Sequence, residues 1–159
     1  MSTAFYHAAL VLHIIGITLM AGASFVDYIT FNMFYKAYAT DKNKGLVLGD
    51  YLYKLQRFLG IGMLLILVSG ILMMIKLHEV WGAQLWFRIK MGLLLIIILN
   101  GLGLRRMLGT RLRKMLGDNA TVNIPATKWQ DIRKRFTIVQ LIQLLLFILI
   151  FTLSVFKFN

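Results

Sequence analysis

Apolar residues run almost unbroken through four stretches of this chain, roughly residues 5–31, 58–75, 85–104 and 138–156. Each is close to the about 20 helical residues that cross a hydrocarbon layer. None alternates apolar with polar positions as a transmembrane strand does, and backbone inside a bilayer must satisfy its own hydrogen bonds, so each stretch predicts a helix. The expected fold is all-α: an integral membrane four-helix bundle forming a single transmembrane domain. The first stretch is too long for a signal-peptide core and has no basic residue before it. It keeps a helical pattern through "YITFNMFYKAY", which predicts a retained span.

Composition agrees. Of the 159 residues, 59% are hydrophobic, against roughly 45–50% in soluble domains. No cysteine is present, which removes disulfides, thiolate metal sites and cysteine nucleophiles together.

The formal net charge of +12 changes the picture through its distribution. No charged side chain precedes the first span. Lys36, Lys42, Lys44, Lys54 and Arg57 lie between the first and second, against Asp41 and Asp50. The basic link at 105–135 holds Arg105, Arg106, Arg111, Arg113, Lys114, Lys128, Arg133, Lys134 and Arg135. Successive crossings put these two links on one side, and the positive-inside rule makes that side cytoplasmic. The expectation is a multi-pass protein of a cell inner membrane with both termini outside the cytoplasm. Within the basic link, "RRMLGTRLRKMLGD" sets Met107, Leu108, Leu112, Met115 and Leu116 opposite its cations, a pattern expected of a helix lying along anionic headgroups of the lipid bilayer. No base-reading motif accompanies the charge, so nucleic acid is not an expected partner. Pro125, following "DNATVNI", marks a loop. Asn119-Ala120-Thr121 fits a glycosylation sequon, but on the cytoplasmic side it would not meet the enzyme.

Candidate chemistry centres on "LVLHIIGITLMAGASF", residues 10–25, where His13 stands in an otherwise apolar or small-residue setting. An imidazole within a span is costly, and two readings follow: a functional group facing the bundle interior, or a hydrogen bond bracing two helices. His7 lies about 9 Å nearer the N-terminal end of the helix axis and about 600° of rotation away, so it points to another face. His78 falls in the short link at the same end, where it would share a ligand with His13 if the second and third spans pack on the first.

Three uses of His13 are open. Haem needs an axial imidazole, an apolar slot and cations for its propionates, for which Arg88 and Lys90 are placed. Copper would draw on Met74 and His78, spaced i, i+4 in "MMIKLH". A proton path would involve Asp27, the acid within the first apolar stretch; it lies some 20 Å deeper than His13 by helical rise, where pairing with a base such as Arg57 or Arg106 is expected. No glycine-rich phosphate loop, GxSxG, HExxH or paired-carboxylate motif appears, so a cofactor would have to carry any reaction. Gly16, Gly22, Gly60, Gly62, Gly70, Gly101 and Gly103 are expected to permit close helix approach.

"LHIIGITLMAGA", "LQRFLGIGMLLILVSGILMM" and "LWFRIKMGLLLIIILN" together resemble the HemJ-type protoporphyrinogen oxidases and their relatives, small haem-binding four-helix membrane proteins. The resemblance covers most of the chain as a hydrophobic pattern. Its specific points are His13 followed by the small pair Ala21-Gly22, and Trp86-x-x-x-Lys90 in the third span. It implies haem b as cofactor, His13 as its ligand, and Lys90 serving the haem or a tetrapyrrole substrate, with Trp86 and Arg88 alongside. The second axial ligand is open: His78, His7, Met74 or a histidine of another protomer. The chain departs from the family at Arg88, where the family usually has histidine; in "FVDYITF", where the family tends to carry an arginine after the first-span glycine and this chain has none; and in "LNGLGLRR" and "FTIVQLIQLL". The expected activity is one-electron oxidoreductase or electron-transfer chemistry with a tetrapyrrole or quinone partner in a homo-oligomer. The alternative is a non-enzymatic, copper-handling or structural membrane protein in which His13 braces helices.

Overall fold

The computed structural model describes residues 3–82, 84–118 and 125–156, and within them the chain is an all-α bundle of four long helical rods. α1 spans Thr3–Thr40 and α2 Lys42–Trp81. The third rod is composite: α3, Leu85–Ile98, passes through a π-helical turn at Leu99–Arg105 directly into α4, Arg106–Asp118. α5, Ala126–Phe156, completes the bundle. Each rod is long and apolar enough to cross a membrane, and the chain is a multi-pass membrane protein. Val11, Ile14, Leu64, Ile71, Leu95 and Ile148, each more than half exposed, face outward, as lipid-facing positions should. Residues 119–124, which include the sequon, lie outside the described residues.

The rods are longer than the apolar stretches. At 38 and 40 residues, α1 and α2 reach about 60 Å at 1.5 Å per residue, twice the roughly 30 Å hydrocarbon core. The surplus lies at one end, where the basic residues are, so the expected links at 32–57 and 105–135 are largely continuations of the helices. Asp41 alone separates α1 from α2, and its carboxylate caps the new helix by accepting from the backbone N–H of Asn43 at 2.9 Å and of Lys44 at 3.3 Å. The reversal is so tight that a Cβ on Gly45 would fall 2.8 Å from the Tyr38 Cα. Farther along, α1 and α2 cross in backbone contact at Gly16 and Gly62, where a Cβ on Gly62 would fall 2.8 Å from the Met20 nitrogen. Gly22, Gly60 and Gly103 face open space, so the expectation of close approach fails there.

The segment "RRMLGTRLRKMLGD", expected along anionic headgroups, instead has its apolar stripe packed on protein. It runs straight on from α3, and its apolar face is covered by protein: Leu108 and Leu112 are buried with Phe31, Phe34, Leu52 and Phe136. Phe31 and Phe136 stack with ring centroids 4.3 Å apart, and Trp129 packs against Phe34, Tyr35 and Tyr38. Continuing helically through the π turn and packing beside α1 and α5 buries the stripe.

Three layers follow along the bundle axis. The aromatic cluster occupies the basic end. A second apolar cluster of Met20, Met63, Ile66, Ile97, Leu146 and Phe147 lies toward the termini. Between them sits a polar layer of Asp27, Asn100, Arg105, Gln140 and Gln143, all buried. The π turn builds this layer. Asn100 and Arg105 are five residues apart, about 140° round an ordinary α-helix, and the wider turn lets both face inward. α1 packs on α2, and α5 packs on α1 and on the third rod; among the described residues α2 and the third rod meet through side chains, such as Leu52 with Leu108 and Met63 with Ile97, rather than through close backbone approach. That side of the bundle is a cleft.

Candidate functional site

His13 is positioned by α1 at the wall of a cavity of about 560 Å³ toward the terminal end of the cleft. Small-molecule and cofactor sites are usually roughly 300–1,000 Å³. The walls come from all four rods and are apolar, including Ile17, Ile66, Leu94 and Phe147, with Lys90 and Ser154 as polar exceptions. Gly70 lies beside the imidazole, where a Cβ would stand 3.7 Å from Cε1.

One hydrogen bond sets the chemistry of His13. Its Nδ1 lies 2.9 Å from Ser69 Oγ. The Ser69 hydroxyl has one proton, and it is committed to the Leu65 carbonyl in its own helix, which can only accept. Ser69 Oγ therefore accepts from His13 Nδ1–H. The imidazole is held as the Nδ1–H tautomer, with the Nε2 lone pair left for a ligand, the arrangement by which a neighbouring acceptor orients a metal-binding histidine. Nothing in the residue pattern singled out Ser69; its signal was a lone hydroxyl beside a glycine in "LVSGIL".

The other expected site residues divide. Lys90 lines the cavity with His13, as does Met74. Arg88 does not: two residues from Lys90, it is turned about 200° round the helix, is exposed, and donates from Nε to the Gly82 carbonyl at 3.2 Å. Trp86 is buried beside the cavity, outside its lining, with its indole N–H donated to Gln84 Oε1. His7 is exposed near the start of α1, with its ring 5.9 Å from that of Tyr6. The side chain of His78 lies outside the described residues. Among the described residues no three His, Asp or Glu side chains converge to hold a metal ion.

Asp27 pairs with neither Arg57 nor Arg106. It is 1% exposed and accepts from Arg105 through both Nη2 and Nε, the latter at 3.1 Å. Gln140 Nε2 adds a third donor at 2.6 Å. Arg105 was the nearest alternative in sequence; the π turn, which helical spacing does not forecast, selects it over Arg106. Asn100 donates to Gln143 Oε1 at 2.7 Å and to the Val139 carbonyl at 3.1 Å, tying the same turn to α5.

Compared with known proteins, the chain matches no family model, no curated protein and no solved structure.

Proposed function

We propose that this membrane protein binds haem b through His13 and serves as an oxidoreductase or electron-transfer protein. The observation that carries the reading is the His13–Ser69 hydrogen bond, which presents an uncommitted Nε2 to an apolar cavity of about 560 Å³. With no convergent set of three ligating His, Asp or Glu side chains among the described residues, a metal at His13 is better served by a group that brings ligands of its own. Met74, in the same cavity, would be available as a further protein ligand, and Lys90 would pair with a propionate. Bound there, haem would supply a one-electron iron couple. The protein's own contribution is to fix the imidazole tautomer, place one cation, and exclude water with aliphatic and aromatic walls. The cleft gives lipid-phase partners, a tetrapyrrole or a quinone, a lateral approach. The positive-inside rule assigns the basic end to the cytoplasm of an inner membrane, which puts His13 in the outer half of the bilayer.

The same hydrogen bond favours a second reading, because it joins α1 to α2 and is by itself a brace. Oxidised and reduced absorption spectra of the purified protein, with a pyridine haemochrome assay, separate the two. The haem reading expects a Soret band, sharp reduced α and β bands, near-stoichiometric haem, and loss of all three in His13→Ala. A protein that stays colourless when haem is supplied, or a variant with an unchanged spectrum, overturns it. Metal without Soret absorbance, removed by a chelator, would point to copper.

A further inference from the structure

The cleft holds a second cavity, of about 410 Å³, at the polar layer. Four arginines line it: Arg57 from α2, Arg105 at the end of the π turn, and Arg106 and Arg113 from α4. Asp27 neutralises Arg105. Arg57, Arg106 and Arg113 have no carboxylate within ion-pair distance among the described residues, and Arg113 instead lies over the Tyr53 ring at 5.2 Å. The positive-inside bias accounts for basic residues at this end of the bundle. It does not account for three unneutralised guanidiniums, from two helices, lining one cavity.

Depth narrows the ligand. From Leu85, at the terminal end of the third rod, to Arg105 is twenty residues of helix, about 30 Å of rise if treated as α-helical, which matches the thickness of the hydrocarbon core. Arg57, Arg105 and Arg106 therefore sit where lipid phosphates lie, with Arg113 about 12 Å farther out along α4, in a cleft whose lining includes the exposed Gly60 and Leu102. Guanidinium forks match phosphate oxygens bidentately.

We propose that this cavity binds a phosphate monoanion, that of an anionic phospholipid headgroup entering sideways between α2 and the third rod. Arg57, Arg106 and Arg113 hold the phosphate oxygens, and the acyl chains follow the apolar cleft. The site is separate from the His13 cavity and does not depend on what His13 binds.

The test uses the full chain in a neutral detergent, titrated with phosphatidylglycerol, phosphatidylcholine or inorganic phosphate, and followed by thermal unfolding and by native mass spectrometry. Phosphatidylglycerol should raise the unfolding temperature and remain bound as one lipid per chain, and phosphatidylcholine should do neither. Arg57→Gln and Arg113→Gln should each weaken the lipid about tenfold or more, the factor expected for one charge-assisted hydrogen bond. Arg111→Gln, outside the lining, should leave it unchanged. An equal effect of inorganic phosphate, lost in the same variants, would keep the anion site and replace the lipid with a free phosphate. Equal effects of the two lipids, or binding that survives both substitutions, overturn the proposal. Should a glutamine variant fail to fold, Arg57→Lys and Arg113→Lys keep the charge but lose the fork, and unchanged affinity in both would count equally against it.

Discussion

Asp27 is the most informative position to perturb, because its carboxylate accepts from three donors at once, two on Arg105 and one on Gln140. Asp27→Ala removes every one of these acceptors and strands a guanidinium that is itself 7% exposed. Breaking a buried ion pair from one side costs about 3–5 kcal/mol, and little solvent is available here to screen the loss. Asp27→Asn keeps the shape but turns an amide N–H₂ toward donors, and a loss of about 1.5–3 kcal/mol is expected from the weakened charge-assisted bonds. The double variant Asp27→Leu with Arg105→Met removes both charges; replacements of this kind are near neutral or stabilising by about 1–4 kcal/mol. Gln140 then retains its second bond, to the residue 27 carbonyl at 3.2 Å. Reversible unfolding in mixed micelles measures all three variants against the wild type. A loss under about 1 kcal/mol for Asp27→Ala, or a double variant as unstable as the sum of its single changes, would refute the view that this pair is buried and mutually dependent.

Three further outcomes follow from the packing. Gly62→Ala should destabilise by about 1–3 kcal/mol through overpacking, because its Cβ would meet the Met20 backbone. Gly22→Ala, facing open space, should be neutral or gain up to about 1 kcal/mol; the same unfolding assay separates them, and equal effects would contradict the crossing point. Ser69→Ala removes the acceptor that orients His13 and should weaken haem about 10–100-fold in a spectrophotometric titration, with the fold intact by circular dichroism. Leu108→Ala should cost about 2–5 kcal/mol in chemical unfolding, since Leu108 lies in the core, whereas Met107→Ala on the exposed side should change little.

Helix type and number were legible because a bilayer leaves the backbone one economical solution for each apolar run. Helix length was not. The α1 and α2 extensions carry polar residues on one face and apolar residues on the other, and a search for uniformly apolar runs stops where that mixture begins. The pattern at 105–118 was amphipathic as expected, but an apolar stripe does not say whether protein or lipid covers it; here Phe31 and Phe136 do. At the candidate site, His13 and Lys90 were legible as polar residues at apolar depth, and the structure brings both to one cavity. Arg88, two residues of helix from Lys90, is turned away from that cavity. Ser69 was invisible because a hydroxyl satisfied within its own helix leaves no mark on hydropathy. The partner of Asp27 depended on the π turn, whose extra residue shifts which of two adjacent arginines faces inward.

That turn has a consequence for chain length. A π turn takes up one residue more than the α-helical turn it interrupts, so the third rod holds a spare residue between Asn100 and Arg105. Deleting Leu102 would leave these two side chains four apart, on one face of a regular α-helix, with α4 still presenting Leu108 and Leu112 to the aromatic cluster. A deletion within the α-helical parts of α3 or α4 has no such slack, and would swing everything beyond it through about 100°. The rod should therefore tolerate shortening by one residue at this place, with its side chains meeting the same neighbours.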